Sequence, residues 1–182
     1  PIFSEIEFAS WFTKSFIIAL TGTNGKTTTI ELINHILKDN KKNVLMGGNI
    51  GIPFSKNIIE EKNIKLENKK QEIIHLLELS SFQLENIKYF KPNISILLNL
   101  SPDHLDRYLN YNEYVKTKLN ILMNQDLNCT AIINNKNIII PKTNKFELIR
   151  FEITDCKKMI VNNKSIKINY NNIGFKGNHN KE

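Results

Sequence analysis

Five short apolar runs, each breaking into a polar or glycine-bearing turn, constrain this chain more than any other feature. They are SFIIAL (15–20), NVLMGG (43–48), EIIHLLEL (72–79), ISILLNL (94–100) and CTAIIN (129–134). Runs this short and this continuously apolar are strands buried on both faces. Helical spacing separates them. Residues 26–38 carry Ile30, Ile33 and Leu37, with Leu32 and Ile36 alongside. Pro53 opens a short helix in PFSKNIIE. Further helices are expected from Ser81 and from about Asn112 to Asn124. The charged stretch EKNIKLENKKQ (61–71) reads as a solvated surface connection. This alternation predicts an α/β fold, a mainly parallel sheet with helices on both faces. After residue 134 the texture changes. ELIRFEI, KMIVNN and SIKINY are short and partly alternating, as in a small antiparallel section.

In open parallel sheets ligands gather at the carboxyl ends of the strands. The loops at 22–27, 47–51, 78–81 and 101–107 each follow a strand, so they are expected on one rim. The first of them is TGTNGKTTT (21–29). It departs from the pattern G-x-x-x-x-G-K-[ST], because Leu20 stands where the first glycine belongs. The physical requirements of a phosphate loop are nevertheless met. Gly22 and Gly25 let backbone amides approach an anion without an intervening Cβ. A helix starting near Lys26 adds free donors and partial positive charge. Lys26 can neutralise outer phosphates, and the Thr27 hydroxyl can bind Mg²⁺.

Composition narrows the partners. Lys plus Arg is 25 against 18 acids, a net charge of +7, which favours anionic partners. No basic block is interleaved with aromatics, so nucleic acid is not expected. The longest apolar runs fall far short of the ~20 residues a membrane span needs, and PIFSEIEFASWF (1–12) is not a signal peptide. Cys129 and Cys156 form no C-x-x-C pair; two reduced thiols in a cytoplasmic protein are expected.

With GGNIG (47–51), LELSSFQLE (77–85), NLSPDHLDRY (99–108) and YVKTKLNIL (114–122) in the same order, the chain resembles the Mur ligases, ATP-dependent amide-forming enzymes of peptidoglycan synthesis. The reduced glycine count of the loop is a property of that family. LELSSFQLE is similar to the branch that adds D-glutamate to UDP-N-acetylmuramoyl-L-alanine. The likeness is strong through residue 124 and weaker afterwards until GNHN (177–180). It implies that Gly22, Thr23, Asn24, Gly25, Lys26, Thr27 and Thr28 hold ATP, with Lys26 also acting in catalysis. Asn180 in GNHN would read adenine.

The resemblance also implies two Mg²⁺ sites. Glu78, at the end of an otherwise apolar run, would share one ion with Thr27; the other reading is a loop anion beside a helix capped by Ser80 or Ser81. His104 would help hold the second ion and the acyl group, with Asp103 orienting it. Lys118, which otherwise reads as a helical lysine on a solvated face, would serve as a carbamate made from CO₂. Lys116 falls on another side of that helix. Asn49, otherwise a turn asparagine, would contact the substrate with Ser80 and His104. His35 and His75 read as structural. Asp106 and Arg107 could equally form a local ion pair. Residues 1–14 would be the end of a UDP-binding domain or linker and 15–182 the central ATP-binding domain, with a third domain absent and a monomer expected. Other Mur-type or folylpolyglutamate-type ligases, and a non-catalytic ATP-binding module, are the rival readings.

Overall fold

A computed structural model describes residues 1–104, 106–134, 140, 146–155, 158–162 and 164–167. Asn180, and with it GNHN, lies outside these residues, as does Cys156. The described strands are β1 (Phe16–Thr21), β2 (Asn43–Gly48), β3 (Ile73–Glu78), β4 (Ile94–Leu97), β5 (Thr130–Asn134), β6 (Glu147–Asp155), β7 (Lys158–Val161) and β8 (Lys164–Lys167). They form one sheet in the order β2-β3-β1-β4-β5-β6-β7-β8. Every pairing from β2 through β6 is parallel. Only β6–β7 and β7–β8 are antiparallel. The stretch ELIRFEI was expected to open the antiparallel section. Instead it joins β5 in parallel, Thr130 opposite Glu147, and reverses direction only toward β7.

The continuous apolar character of β1 has the expected cause. Ile17 and Ala19 face one core with Phe54, Ile58, Leu77 and Leu79. Ile18 and Leu20 face the other with Ile30, Leu76, Ile96 and Leu98. Helix α2 (Lys26–Asp39) covers the second core, where Ile33 and Leu37 pack, as their spacing required. Helices α1 (Glu5–Ser10) and α3 (Phe54–Glu67) cover the first.

Two helices depart from expectation. Pro53 is the N-cap of α3, but the helix continues to Glu67 through the stretch read as a surface connection. Glu61 there is 3% exposed. Its carboxylate accepts from Thr13 Oγ1 and Ser15 Oγ, both at 2.6 Å, from Lys65, and from His75 Nε2 at 2.8 Å. The charged pattern hid a buried polar anchor, and His75 is structural as expected. In the second case α5 stops early, at Tyr111–Leu119, and a 3₁₀ turn follows at Asn120–Leu122.

Helix α1 was not foreseen. It is docked by one carboxylate. Glu7 accepts from the successive amides of Lys88, Tyr89 and Phe90 at 2.8–3.0 Å and from Trp11 Nε1 at 2.8 Å. A buried carboxylate saturated in this way needs no counter-ion to stay charged.

Candidate functional site

The strand order reverses about β1. The chain leaves it for the β2 edge, and leaves β3 for the β4 side. Such a switch point opens a crevice at the carboxyl ends of β1 and β3. The turn after β1 meets this crevice. Gly25, the N-cap of α2, adopts φ 77°, a left-handed conformation open to glycine and strained for most residues. As N-cap, Gly25 makes no side-chain bond to the helix, so no cap from that position competes with an anion for the first turn. A cavity of about 350 Å³ lies against them, lined by Thr23, Asn24, Gly25, Lys26, Thr27, Thr28, Asn49, Ile50 and Glu78. A larger cavity, about 620 Å³, lies at the other ends of β1 and β3 among Lys14, Lys65, Lys69 and Lys70. It contains none of the residues singled out by the sequence.

The loop is held from outside. Asn99, just past β4, accepts the Asn24 amide on Oδ1 at 2.8 Å and donates from Nδ2 to the Asn24 carbonyl at 3.0 Å. Its own carbonyl accepts the Thr23 amide at 3.0 Å. Thr23 Oγ1 exchanges hydrogen bonds with Ser101 and lies 3.1 Å from the Tyr114 hydroxyl. Lys26 Nζ folds back to donate to the Thr23 carbonyl at 2.9 Å. An anion in the cavity would compete for that ammonium.

Glu78 ends β3 inside this rim and is 1% exposed. Its carboxylate accepts from Thr27 Oγ1 at 3.0 Å and Asn49 Nδ2 at 3.1 Å, both neutral donors. Among the described residues it has no ion pair. A buried carboxylate with only neutral partners is costly, and oxygen donors arranged this way suit a hard divalent cation. Asn49 is held in turn, its amide donating to the Glu78 carbonyl at 2.7 Å.

Lys118, on α5, reaches the start of the same loop. It is 2% exposed, and its Nζ donates to the Gly22 carbonyl at 2.9 Å and weakly to Thr21 Oγ1 at 3.4 Å. It is therefore not on a solvated face. Burial, with the Lys26 charge, pushes its pKa down to about 8, against the pull of Asp103 and Glu78. His104 stands in the next loop with φ 52°. Its ring lies 5.0 Å from that of Phe82 and 6.4 Å from that of Tyr114. Asp103 lies beside it, accepting the His104 amide at 2.9 Å.

The fold thus brings together Gly22 through Thr28, Asn49 and Glu78, with Lys118 beneath the loop and His104 beside Tyr114. Ser80 is spent locally. It is the N-cap of α4 (Ser81–Leu84), in a reciprocal capping box with Gln83. Of the partners the sequence left open for Arg107, the structure gives Glu85 at 2.8 Å rather than Asp106, because the fork fits a carboxylate on the facing helix end. Asn99 and Tyr114 were missed. A polar residue closing an apolar run marked the first. A tyrosine four positions before Lys118, on the same helix face, marked the second.

Comparison with known proteins agrees with this arrangement. The family model for the Mur ligase middle domain matches residues 20–180. A UDP-N-acetylmuramoylalanine–D-glutamate ligase of Caldicellulosiruptor bescii is 46% identical over 139 residues, 76% of this chain and 29% of its own length. The enzyme of that name from Rickettsia prowazekii is 36% identical over 184 residues, 97% of this chain and 39% of its own. The chain therefore spans well under half of these relatives. Among solved structures, MurF ligase from Thermotoga maritima in complex with ADP superposes with a TM-score of 0.59 at 19% identity, covering 90% of this chain and 42% of that one. UDP-N-acetylmuramate:L-alanyl-gamma-D-glutamyl-meso-diaminopimelate ligase from Neisseria meningitides gives 0.62 at 13% identity, covering 97% and 61%. At such identities the superpositions speak to the fold.

Proposed function

The chain belongs to the Mur ligase family, and on that premise we propose that it is the ATP-binding central domain of a ligase that adds D-glutamate to UDP-N-acetylmuramoyl-L-alanine. One observation carries the reading. A glycine-bearing loop at a helix start, a buried carboxylate held by two neutral donors and a buried lysine, far apart in sequence, meet on one rim. Relatives of the D-glutamate-adding enzyme supply the substrates. A domain binding the UDP group and another delivering the amino acid would flank this one. The enzyme would act in the cytoplasm as a monomer; among the described residues no helix is long and apolar enough to cross a membrane.

In the proposed reaction the L-alanyl carboxylate attacks the γ-phosphorus of ATP and ADP leaves. The amine of D-glutamate then attacks the acyl phosphate carbon, forming the amide and expelling phosphate. For this domain the work is positioning and charge neutralisation. The first amides of α2 orient the phosphates, and Lys26, released from the Thr23 carbonyl, neutralises them. Asn49 and His104 flank the acyl group. Thr27 and Glu78 would hold a divalent cation, whose chemistry is to offset charge on the transferring phosphoryl group. As the amine found here Lys118 has no lone pair to offer while protonated. A lowered pKa leaves a larger neutral fraction to attack CO₂, lose a proton and become an anionic carbamate. With His104, that carbamate would form the second cation site. A carbamate carbon resonance from labelled bicarbonate, lost in Lys118→Met, checks that step.

The full-length protein should release phosphate from ATP only when UDP-N-acetylmuramoyl-L-alanine and D-glutamate are both present. Equal release with a different amino acid would overturn the substrate assignment. Release with neither acceptor would favour a plain ATPase.

A further inference from the structure

We infer that Glu85 is a positioning residue for His104, acting through Arg107 and Tyr108 to fix the loop that carries the imidazole to the rim. The inference rests on the reading of His104 as part of the acyl site. It starts from a convergence of bonds. Glu85, immediately after α4, accepts from Arg107 Nε at 3.1 Å and Tyr108 OH at 2.7 Å on Oε1, and from Arg107 Nη2 at 2.8 Å on Oε2. A bidentate fork joined by a phenol fixes direction as well as distance. The two residues it holds by their side chains hold His104 by their backbones. The amides of Arg107 and Tyr108 both donate to the His104 carbonyl, at 3.0 and 3.2 Å.

His104 needs that grip. At φ 52° it occupies the left-handed region, which a residue with a side chain keeps only where its surroundings impose it. Its ring is placed by the same group of residues. Phe82 lies 5.0 Å from the imidazole, and the Arg107 guanidinium sits 4.7 Å over the Phe82 ring. Tyr108 stacks on Phe82 at 6.5 Å. Glu85 thus orders one wall of the imidazole as well as the backbone beneath it. Stability alone does not account for the pair. The Arg107 side chain is half exposed, and ion pairs in water contribute little to global stability. Displacing a reacting group by about 1 Å, in contrast, can cost 10²-fold in rate.

The test uses the full-length protein with Glu85→Gln, and Arg107→Lys as the variant that keeps charge but loses the fork. The probe is the imidazole ¹H–¹³C cross-peak of His104, assigned with His104→Gln and recorded without nucleotide or metal. Both variants should shift or broaden that peak and leave the His35 peak in place. They should lower kcat about 10- to 100-fold, change KM for ATP less than about threefold and move Tm by a few degrees at most. The double variant should cost little more than either single one. An unchanged His104 peak with unchanged kcat overturns the inference, as does a loss of activity that follows only from unfolding in both variants. If His104→Gln leaves ligation intact, the acyl-site reading fails instead, while a displaced peak would still establish the positioning.

Discussion

Lys118 shows how far this chain departs from what stability alone would select. An ammonium 2% exposed, bonded to one carbonyl and near the Lys26 charge, is held down to a pKa of about 8. An unfolded lysine keeps its proton to about 10.4. Between those values the unfolded chain binds more protons than the folded one, so stability rises with pH across that window and the penalty is fully present below it. The gap corresponds to about 3 kcal/mol. In metal-free protein, Lys118→Met should therefore be more stable than wild type at pH 7, by about 1–3 kcal/mol after the lost hydrogen bond is set against the gain. Urea unfolding at several pH values reads this difference, which should shrink toward zero near pH 10. The variant should also lose ligase activity, because sites are kept for chemistry at the expense of stability. A variant less stable than wild type at every pH would show that the buried ammonium is well accommodated.

Helix α3 carries the opposite lesson, a charge that stabilises. Burial raises the Glu61 carboxyl, but hydrogen bonds from Lys65, Ser15, Thr13 and His75 outweigh it and bring the pKa to about 2. A carboxyl depressed in the folded state contributes stability above its unfolded pKa near 4.3, lost as the pH falls toward about 2. Burial keeps the His75 imidazole below its ordinary pKa, so it resists protonation over the same descent and adds to the acid sensitivity. At pH 7 wild type should exceed Glu61→Gln by about 3 kcal/mol in chemical denaturation. That margin should fall below about 1 kcal/mol near pH 2; a margin independent of pH would remove Glu61 from the account. The sequence hid this anchor, since a glutamate among lysines on a polar stretch looks solvated until His75 arrives from β3. By contrast, the five strands, the loop at 22–27 and the shared rim were legible, because continuous apolar runs and the Gly–Lys–Thr turn each have a local cause; that β2 lies at the sheet edge and is only half-buried was not. The parallel β5–β6 pairing and the clasp of Glu7 on residues 88–90 were not, for both are long-range choices that local pattern leaves open. Asn99 lay between, its type readable and its hold on Asn24 not.

The sheet as a whole separates binding from reaction. On the proposed reading the groups that grip a nucleotide's phosphates belong to this one body: the amides at the α2 start, Lys26, Thr27 and Glu78 line one cavity, braced by Asn99 from the neighbouring strand. The acceptors are another matter. Asn49 and His104 flank the rim, and on the proposed reading the acceptor sites are completed by the domains that would flank this one. The matched relatives are more than twice as long as this chain. Residues 1–182 alone should therefore bind ATP with Mg²⁺ without turning it over. A ligand present at 100 times its Kd stabilises a folded protein by about 2.7 kcal/mol, several degrees in Tm for a domain of this size. Saturating nucleotide should produce that rise in a thermal melt, and Lys26→Ala should abolish it. Phosphate release by the segment, with both acceptors supplied, should stay at background. Turnover matching that of the full-length enzyme would show that the acceptor sites are built into this sheet, and an unshifted melt would show that the loop does not hold nucleotide at all.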